Sequence, residues 1–496
     1  MTQVIDSIVV DTFGGRVHLE WDPSAAVTPL GQLAFFIEFL KTGRLFDPWV
    51  KDCPLYYTSS NAPTKRDVLG TVLLSVLAGH RRYSHITTVR ADNVNPGLLG
   101  MNKVVSEDAV RRAFRQMDET KSVDWMKNHL GLSYEPLLGV PWILDGDTTV
   151  KPLYGHQEGA VVGYNPKKPG RPSHTYHSYL MANTRLVLDV EIQAGNKTAT
   201  CFSAPGLFEL LDRIPRKDWP VFFRGDSNWG NDSFMSKAEA RGLAYLSKLR
   251  LTKNVKQLIK KTFQRMDWEK AGQGWEGVEE SLQLMGWSHK RRVIVLRRAL
   301  IGEMAMTLKN KDQLDLGLVE SEGPTKRYEY AVLVTSLSDG VLTLAQHYRD
   351  RADSENNFDE LKNQWGWGGY TTQDMKRCRL MARMVALIYN WWSLFVRLAH
   401  PDKHLEAVTS RPLLLYAVGK QTHHQGQTTV TITSTHAETD KIQRVLQELT
   451  RFFQTLKTTA EQLTPSNLWR LILSRAFKQM LKGKPLYSPV MLPQLL

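Results

Sequence analysis

Cysteine is nearly absent from this sequence, with only three in 496 residues. Cys53, Cys201 and Cys378 are widely spaced and form no CxxC pair, so neither a disulfide framework nor a cysteine zinc site is predicted. Long hydrophobic runs are lacking as well, and the first residues show no signal-peptide pattern. These absences predict a soluble cytoplasmic protein with no membrane partner.

Acidic residues are in deficit, 50 against 64 basic ones, which gives a net charge of +14 and a pI near 9.5. A basic excess of this size favours a polyanionic partner such as nucleic acid. The chain is too long for one ordinary core, so we expect roughly three or four modules.

Acidic residues stand where two short apolar runs end. Residues 140–144 precede Asp145 and Asp147, and residues 220–223 precede Asp226. Short apolar runs bounded by Gly and Pro are typical of buried strands, and ligands of open α/β sheets lie just beyond strand ends. Either Asp145 or Asp147 could be the first site residue, because side chains two apart on a strand point to the same side.

A third acidic group lies in a segment that we predict to be one helix. At about 100° per residue, Tyr348, Arg351, Glu355 and Lys362 share one narrow stripe beside an apolar stripe. A helix of this kind can lay functional groups along the edge of a pocket. The alternative is a solvated face, since Arg351 and Glu355 have the spacing of an i,i+4 ion pair.

Acids from two strand ends and one helix could together hold a pair of divalent cations. Two such ions activate the attacking oxygen and stabilise the leaving oxygen in a displacement at phosphorus. Hard oxygen ligands select Mg²⁺ or Mn²⁺. For the third ligand, Asp359 is a rival of Glu355, because it lies about 40° away on the same helix.

Basic residues in two other segments could meet DNA phosphates. Ser106 is predicted to cap a short cationic helix suited to a DNA groove, although a packed surface helix is an equal alternative. The glycine-rich residues 154–172 permit close backbone approach, with a plain hairpin loop as the alternative. The basic residues concerned are Arg111, Arg112, Lys167, Lys168 and Arg171.

The order of predicted elements indicates an α/β fold with an RNase H-like mixed-sheet catalytic core. Three strands, a helix and another strand, with acids at the first and fourth strands, have the order of such a core. A strand-rich insertion interrupts it, and helical regions flank it. We predict a helical N-terminal region (1–135), the first part of the core (136–251), the insertion (252–345), the second part of the core with the catalytic helix (346–400) and a helical C-terminal region (401–496).

The sequence resembles bacterial insertion-sequence transposases of the DDE superfamily. Tyr348, Arg351, Glu355 and Lys362 match the signature Tyr-x2-Arg-x3-Glu-x6-Lys at every position. Asp147-Thr148-Thr149, Asp226 and a Gly-Tyr-Asn-Pro-Lys-Lys loop extend the resemblance over roughly residues 140–398. The signature favours Glu355 over Asp359, and the threonine context favours Asp147 over Asp145.

The resemblance implies metal-dependent DNA transposition. It implies an N-terminal region that binds terminal inverted repeats and a homodimer that acts on paired ends. The implied reaction is cut-and-paste cleavage with strand transfer into target DNA, in the bacterial cytoplasm at the nucleoid. Two alternatives are a transposase-derived DNA-binding protein that no longer cuts and a hydrolytic DNA nuclease. The implied ligands of two Mg²⁺ or Mn²⁺ ions are Asp147, Asp226 and Glu355, and the implied phosphate contacts are Tyr348, Arg351 and Lys362.

Overall fold

The computed structural model describes residues 8–165, 168–197, 199–300, 318–319, 328–433, 438–458 and 463–486. The contacts between residues divide the chain into two compact units. The first unit comprises Met1–Met117 and Phe395–Gln479, and the second comprises Asp118–Leu394 with the residues from Met480 onward. Parts of the predicted insertion, residues 301–317 and 320–327, lie outside the described residues.

Strands occur near the N-terminus, through the middle of the chain and again around residue 420. Their bounds are β1 Ile8–Thr12, β2 Gly15–Leu19, β3 Val27–Thr28, β4 Ile143–Pro152, β5 Val161–Val162, β6 Pro172–Met181, β7 Leu186–Ala194, β8 Phe222–Gly225, β9 Tyr245–Lys248, β10 Glu269–Gly272, β11 Trp275–Leu282, β12 Arg291–Ala299, β13 Leu318–Val319, β14 Tyr328–Thr335, β15 Gly419–His424 and β16 Gln427–Ile432.

Helices fill most of the remaining described chain, and among them no helix is both long and apolar enough for a membrane span. Their bounds are α1 Leu33–Thr42, α2 Phe46–Asp52, α3 Lys65–Leu77, α4 Ile86–Val89, α5 Asn95–Leu98, α6 Glu107–Gln116, α7 Glu119–Tyr134, α8 Ala199–Asp212, α9 Asp232–Ala240, α10 Lys253–Thr262, α11 Val341–Arg349, α12 Ala352–Gln364, α13 Met375–Ala399, α14 Ala407–Leu414, α15 Thr439–Thr458 and α16 Pro465–Ala476.

A mixed sheet forms the centre of the second unit. Its strands follow the order β10-β11-β12-β14-β9-β8-β4-β6-β5, with β7 also paired to β6 and β13 to β14. Strand β4 is parallel to β8 and antiparallel to β6, and β8 is parallel to β9. The strands of the predicted insertion extend this same sheet, because β14 pairs with β9. The predicted mixed α/β class is confirmed.

Local sequence explains how the sheet is built and covered. A tight turn at residues 183–185 joins β6 to β7, and Asn183 and Arg185 there have φ values of 64° and 58°. The long apolar helix that follows the signature segment is α13, most of whose side chains are buried. Its Asn390 accepts a hydrogen bond from Val187 N at 2.9 Å and donates one to Val187 O at 2.8 Å, which fixes α13 to β7.

An apolar core holds α11 against the central strands. Phe222 of β8, Ile294 of β12 and Leu333 of β14 pack with Leu344 of α11, and Tyr348 lies at the edge of this cluster. The burial of such side chains drives the docking of the helix onto the sheet. This docking places the last turn of α11 close to the end of β8.

Helices dominate the first unit, as predicted for the N-terminal region. Helix α3 begins with a capping box, in which Thr64 and Asp67 bond each other's backbone N–H groups, and the predicted N-cap Ser106 accepts a bond from Ala109 N. Strands β1 to β3 were not predicted. The C-terminal region, predicted to be helical, also contains the hairpin β15–β16, which pairs with β3. The hairpin was not predicted because the strand alternation there involves few apolar residues.

Candidate active site

Two acidic residues follow aligned positions on neighbouring parallel strands. The register of β4 and β8 places Gly146 opposite Gly225, and Asp147 and Asp226 are the next residue on each strand. The sequence predicted that Asp147 follows the end of its strand. Instead, Asp147 lies inside β4, because pairing with β6 continues the strand to Pro152. The two carboxylates therefore share the edge of the sheet at which β8 ends.

The paired glycines leave room for aromatic rings beneath this edge. A Cβ atom on Gly146 would lie 2.6 Å from the Phe223 ring, and one on Gly225 would lie 2.5 Å from the Trp229 ring. The two rings pack with their centroids 4.5 Å apart. Side chains at either glycine would displace them, and with them the turn that carries Asp226.

Asp226 is oriented by the turn that follows β8. The backbone N of Asn228 donates to Asp226 Oδ1 and its Nδ2 donates to Oδ2, both at 2.9 Å. Trp229 N donates to the Asp226 carbonyl oxygen at 3.1 Å. The half-buried carboxylate is thus held in one orientation with its outer lone pairs available to a cation.

The segment with the signature residues forms two helices rather than the single helix predicted. Tyr348 lies in the last turn of α11, and Arg351 is the residue before α12. Arg351 N donates to Tyr348 O at 3.2 Å, and Ser354 N donates to Arg351 O at 3.0 Å. These i to i+3 bonds tighten the backbone and separate the two helices.

Arg351 bridges the carboxylate of Asp147 on β4 and the carboxylate of Glu355 on α12. Its Nη2 lies 3.1 Å from Asp147 Oδ2, and its Nη1 forms an ion pair with Glu355. The Arg351 side chain is only 7% exposed, whereas Glu355 is 61% exposed. Asp147, Arg351 and Glu355 are therefore brought together as the sequence predicted.

The electrostatics of the site show a local excess of negative charge. Burial raises the pKa of Asp147 to about 6; Arg351 opposes this rise, while Asp226 and Glu355 add to it. Burial also raises the pKa of Tyr348, and the same three carboxylates add to that rise. Burial disfavours the charged form of Arg351, but the surrounding acids outweigh it and raise the pKa of its guanidinium. The three carboxylates are thus electrostatic neighbours.

We expect Asp147→Asn to raise the thermal unfolding midpoint by several degrees in EDTA at neutral pH. A carboxyl with a pKa of about 6 in the folded state and about 4 in the unfolded state destabilises the fold once ionised. The gain should therefore be full above about pH 6 and vanish below about pH 4. Midpoints measured across this range test the prediction, with Asp359→Asn on exposed α12 surface as the control. A lower midpoint for Asp147→Asn at neutral pH would contradict it.

The chemistry of these donors fits a hard divalent cation. All three are carboxylates, and carboxylate oxygens are the ligands that a hard cation prefers. Within the described ranges, no three His, Cys, Asp or Glu side chains already form a metal cluster, and Arg351 lies between Asp147 and Glu355. A cation bound between these carboxylates would compete with Arg351 for their oxygens.

Asp145, the rival first ligand, is engaged elsewhere. Arg224 binds it with two hydrogen bonds, Nε to Oδ1 at 2.6 Å and Nη2 to Oδ2 at 2.7 Å, and the Ser354 hydroxyl also donates to Oδ2. Both charged side chains are 1% exposed. This buried pair connects β4, β8 and α12, and its geometry favours Asp147 as the residue that faces a ligand.

Two lysines attach the strand of Asp147 to the segment that contains Glu355. Lys362 Nζ donates to Val150 O at 3.2 Å. Lys151, not identified from the sequence, is buried and donates to Tyr176 Oη at 3.2 Å and to the carbonyl oxygen of Gly369. Burial lowers the pKa of Lys151 to about 8. The sequence carries no clear signal for this residue, because Lys151 lies beyond the apolar run 140–144 that predicted the strand.

The other predicted DNA contacts lie in two places. Lys168 and Arg171 are exposed and stand over the Tyr154 ring, 5.0 and 4.4 Å from its centroid; Lys167 lies outside the described residues. In the first unit, Arg112 on α6 is exposed, and Arg111 pairs with Asp108 at 2.8 Å. Each set offers positive charge at the surface of its own unit.

Family comparison identifies the class of protein. Residues 63–454 match the family described as "Transposase DDE domain group 1". Because this match covers most of the chain, the chain belongs to that family of DDE transposases, as the sequence signature predicted. No curated protein matches it.

Among the solved structures, a transposase complex is similar at low identity. It is the cryo-EM structure of a piggyBac transposase synaptic complex with hairpin DNA, with 10% identity, a TM-score of 0.37, and coverage of 90% of this chain and 85% of that chain. No residue role follows from a likeness of this degree.

Proposed function

We propose that this chain is the DNA transposase of a bacterial insertion sequence. It binds terminal inverted repeats, cleaves DNA in the presence of Mg²⁺ or Mn²⁺, and transfers the strand into target DNA by cut and paste. The observation that carries the proposal is the placement of Asp147 and Asp226 at the same edge of two parallel strands, with Arg351 joining Asp147 to Glu355. Membership of the DDE transposase family supports the same reaction.

The strand order supports an RNase H-like catalytic core. Strands β7, β6, β4, β8 and β9 are successive neighbours; β4, β6 and β7 alternate in direction, and β8 and β9 run parallel to β4. In this arrangement acids on the first and fourth core strands meet at one edge of the sheet. The helical region ahead of the core would recognise the element ends, and two copies would act on paired ends.

In the proposed mechanism, Asp147, Asp226 and Glu355 hold the metal ions. When bound, the ions would activate the attacking oxygen and stabilise the leaving one. Asn228 keeps the Asp226 carboxylate oriented. Arg351 exchanges a carboxylate partner for a phosphate oxygen and stabilises its charge. Lys362 and Tyr348 flank the same site, and Lys168 and Arg171 bind the DNA backbone farther along.

A cleavage assay tests the proposal. Purified protein is incubated with a labelled duplex that carries the inverted repeat flanking its gene, with Mg²⁺ or with EDTA, and products are separated on a denaturing gel. We expect metal-dependent cuts at the repeat boundary that are lost in Asp226→Ala. Binding without cutting under any divalent ion would identify a non-catalytic DNA-binding protein. Cutting without joined products would identify a nuclease.

A further inference from the structure

We propose that the hairpin β15–β16 is a DNA-reading ribbon that enters the major groove. The inference rests on the proposed function, because it takes duplex DNA as the substrate, and it adds a recognition site in the first unit that is separate from the cationic helix α6. The ribbon comprises Gly419–His424 and Gln427–Ile432. It carries few apolar side chains and none of the proposed catalytic residues.

The backbone of the ribbon is defined by its turn and register. Gln425 and Gly426 form a two-residue connection with φ values of 48° and 79°, the geometry that matches the twist of a tight hairpin. Thr422 lies opposite Thr429, and His424 lies opposite Gln427. Because side chains alternate between the faces of a strand, this register sorts the ribbon into two distinct faces.

The two faces differ in how their polar groups are used. On one face, His423 bonds Gln421 at 2.6 Å and Thr428 at 2.9 Å, and Ile432 lies against the body of the unit. On the other face, termed the open face, every side chain is exposed and, within the described part of the chain, makes no hydrogen bond. The open face consists of Lys420, Thr422, His424, Gln427, Thr429 and Thr431.

The charge of the surrounding sequence favours a polyanion. No Asp or Glu occurs between Glu406 and Glu438, and the ribbon itself carries the exposed Lys420. Protein interface cores are typically rich in apolar and aromatic residues, and the open face has neither. Unbonded hydroxyl, amide and imidazole groups on an acid-free ribbon are therefore better matched to nucleic acid than to a protein surface.

The dimensions and side chains of the ribbon suit one groove in particular. The major groove of B-DNA admits a two-stranded β-ribbon, and six residues of strand extend about 20 Å. Threonine and glutamine side chains can bond base edges there, with glutamine suited to adenine. Lys420, at the base of the ribbon, would meet a backbone phosphate. The open face thus contains both a positioning contact and groups that read bases.

Adjacent threonines on opposite faces provide a matched test. Thr428 and Thr429 are both exposed, but only Thr429 is on the open face. Binding of the full-length chain to the inverted-repeat duplex is measured by fluorescence anisotropy over a range of salt. We expect Thr422→Ala/Thr429→Ala to weaken binding about tenfold and Thr428→Ala to change it less than about twofold. Lys420→Ala should lower the slope of log affinity against log salt by about one.

Chemical interference identifies the groove. Methylation of guanine N7 modifies the major groove, so methylation at particular guanines should block binding of the wild-type chain. At one or more of these guanines, methylation should no longer affect binding of Thr422→Ala/Thr429→Ala. Equal effects of Thr428 and Thr429 variants, or an unchanged interference pattern, would overturn the inference.

Two further outcomes separate this inference from the proposed function. If the wild-type chain neither binds nor cuts the duplex, the proposed function fails. A second case is that the wild-type chain cuts, the open-face variants bind DNA like wild type, and these variants differ only in the mass of the protein assembly in solution. The ribbon is then a protein contact, and the inference alone is overturned. Thermal unfolding of each variant confirms that the fold is retained.

Discussion

Glu355→Gln should reduce metal-dependent DNA cleavage by about a thousandfold or more while leaving affinity for the transposon end within about twofold. The substitution keeps the size of the side chain but removes the negative charge that a hard cation needs. The other two proposed ligands, Asp147 and Asp226, lie on strands and are not altered. Cleavage is followed on a denaturing gel, and binding is measured separately with Ca²⁺ in place of Mg²⁺.

The fold should tolerate this substitution. Glu355 is 61% exposed, and its carboxylate pairs with Arg351, which also binds Asp147. An exposed partner of an ion pair contributes little to stability, about 0–1 kcal/mol. A loss of cleavage in this variant would therefore reflect the site and not unfolding.

Asp359→Asn is the matched control for Glu355→Gln. Asp359 lies one turn farther along α12, is exposed, and accepts a hydrogen bond from Asn363 at 2.7 Å. We expect this variant to cleave at nearly the wild-type rate. If both substitutions abolish cleavage, or if Glu355→Gln loses binding as strongly as cleavage, Glu355 is not the metal ligand.

The sequence was sufficient for features that depend on local pattern. Apolar runs before Asp147 and Asp226 identified β4 and β8, and the signature spacing identified the segment containing Arg351 and Glu355. These signals are contained in short windows. The adjacency of the two strand acids was inferred only from strand order, since the register that aligns Gly146 with Gly225 is a tertiary property.

Other features could not be predicted because they depend on distant partners. The backbone breaks before α12 at Arg351, a residue whose side chain binds Asp147 on another element. Arg224 follows the apolar run 220–223, and nothing nearby in sequence indicated that Asp145 neutralises it. The ribbon β15–β16 was missed for a different reason: its alternation involves threonine, histidine and glutamine, so the usual apolar signal of a strand is weak.

Asp145→Asn should destabilise the protein by about 3–5 kcal/mol, the usual cost of removing one partner of a buried ion pair. Arg224 would keep its charge at 1% exposure without a carboxylate to balance it. The effect is opposite in sign to the one expected for Asp147→Asn, although the two acids are separated only by Gly146. The difference arises because Asp145 is compensated by a bidentate arginine, whereas at Asp147 burial, with Asp226 and Glu355 adding to it, outweighs the single contact with Arg351.

A double-mutant cycle distinguishes this structural role from a catalytic one. Urea unfolding is measured for Asp145→Leu, Arg224→Met and the two combined. Because the combination leaves no unpaired buried charge, it should recover much of the stability lost in either single variant. Metal-dependent cleavage provides the opposing test. If Asp145→Asn folds as stably as wild type and loses only this cleavage, then Asp145, and not Asp147, is the first ligand. The buried pair with Arg224 would then have to open for catalysis.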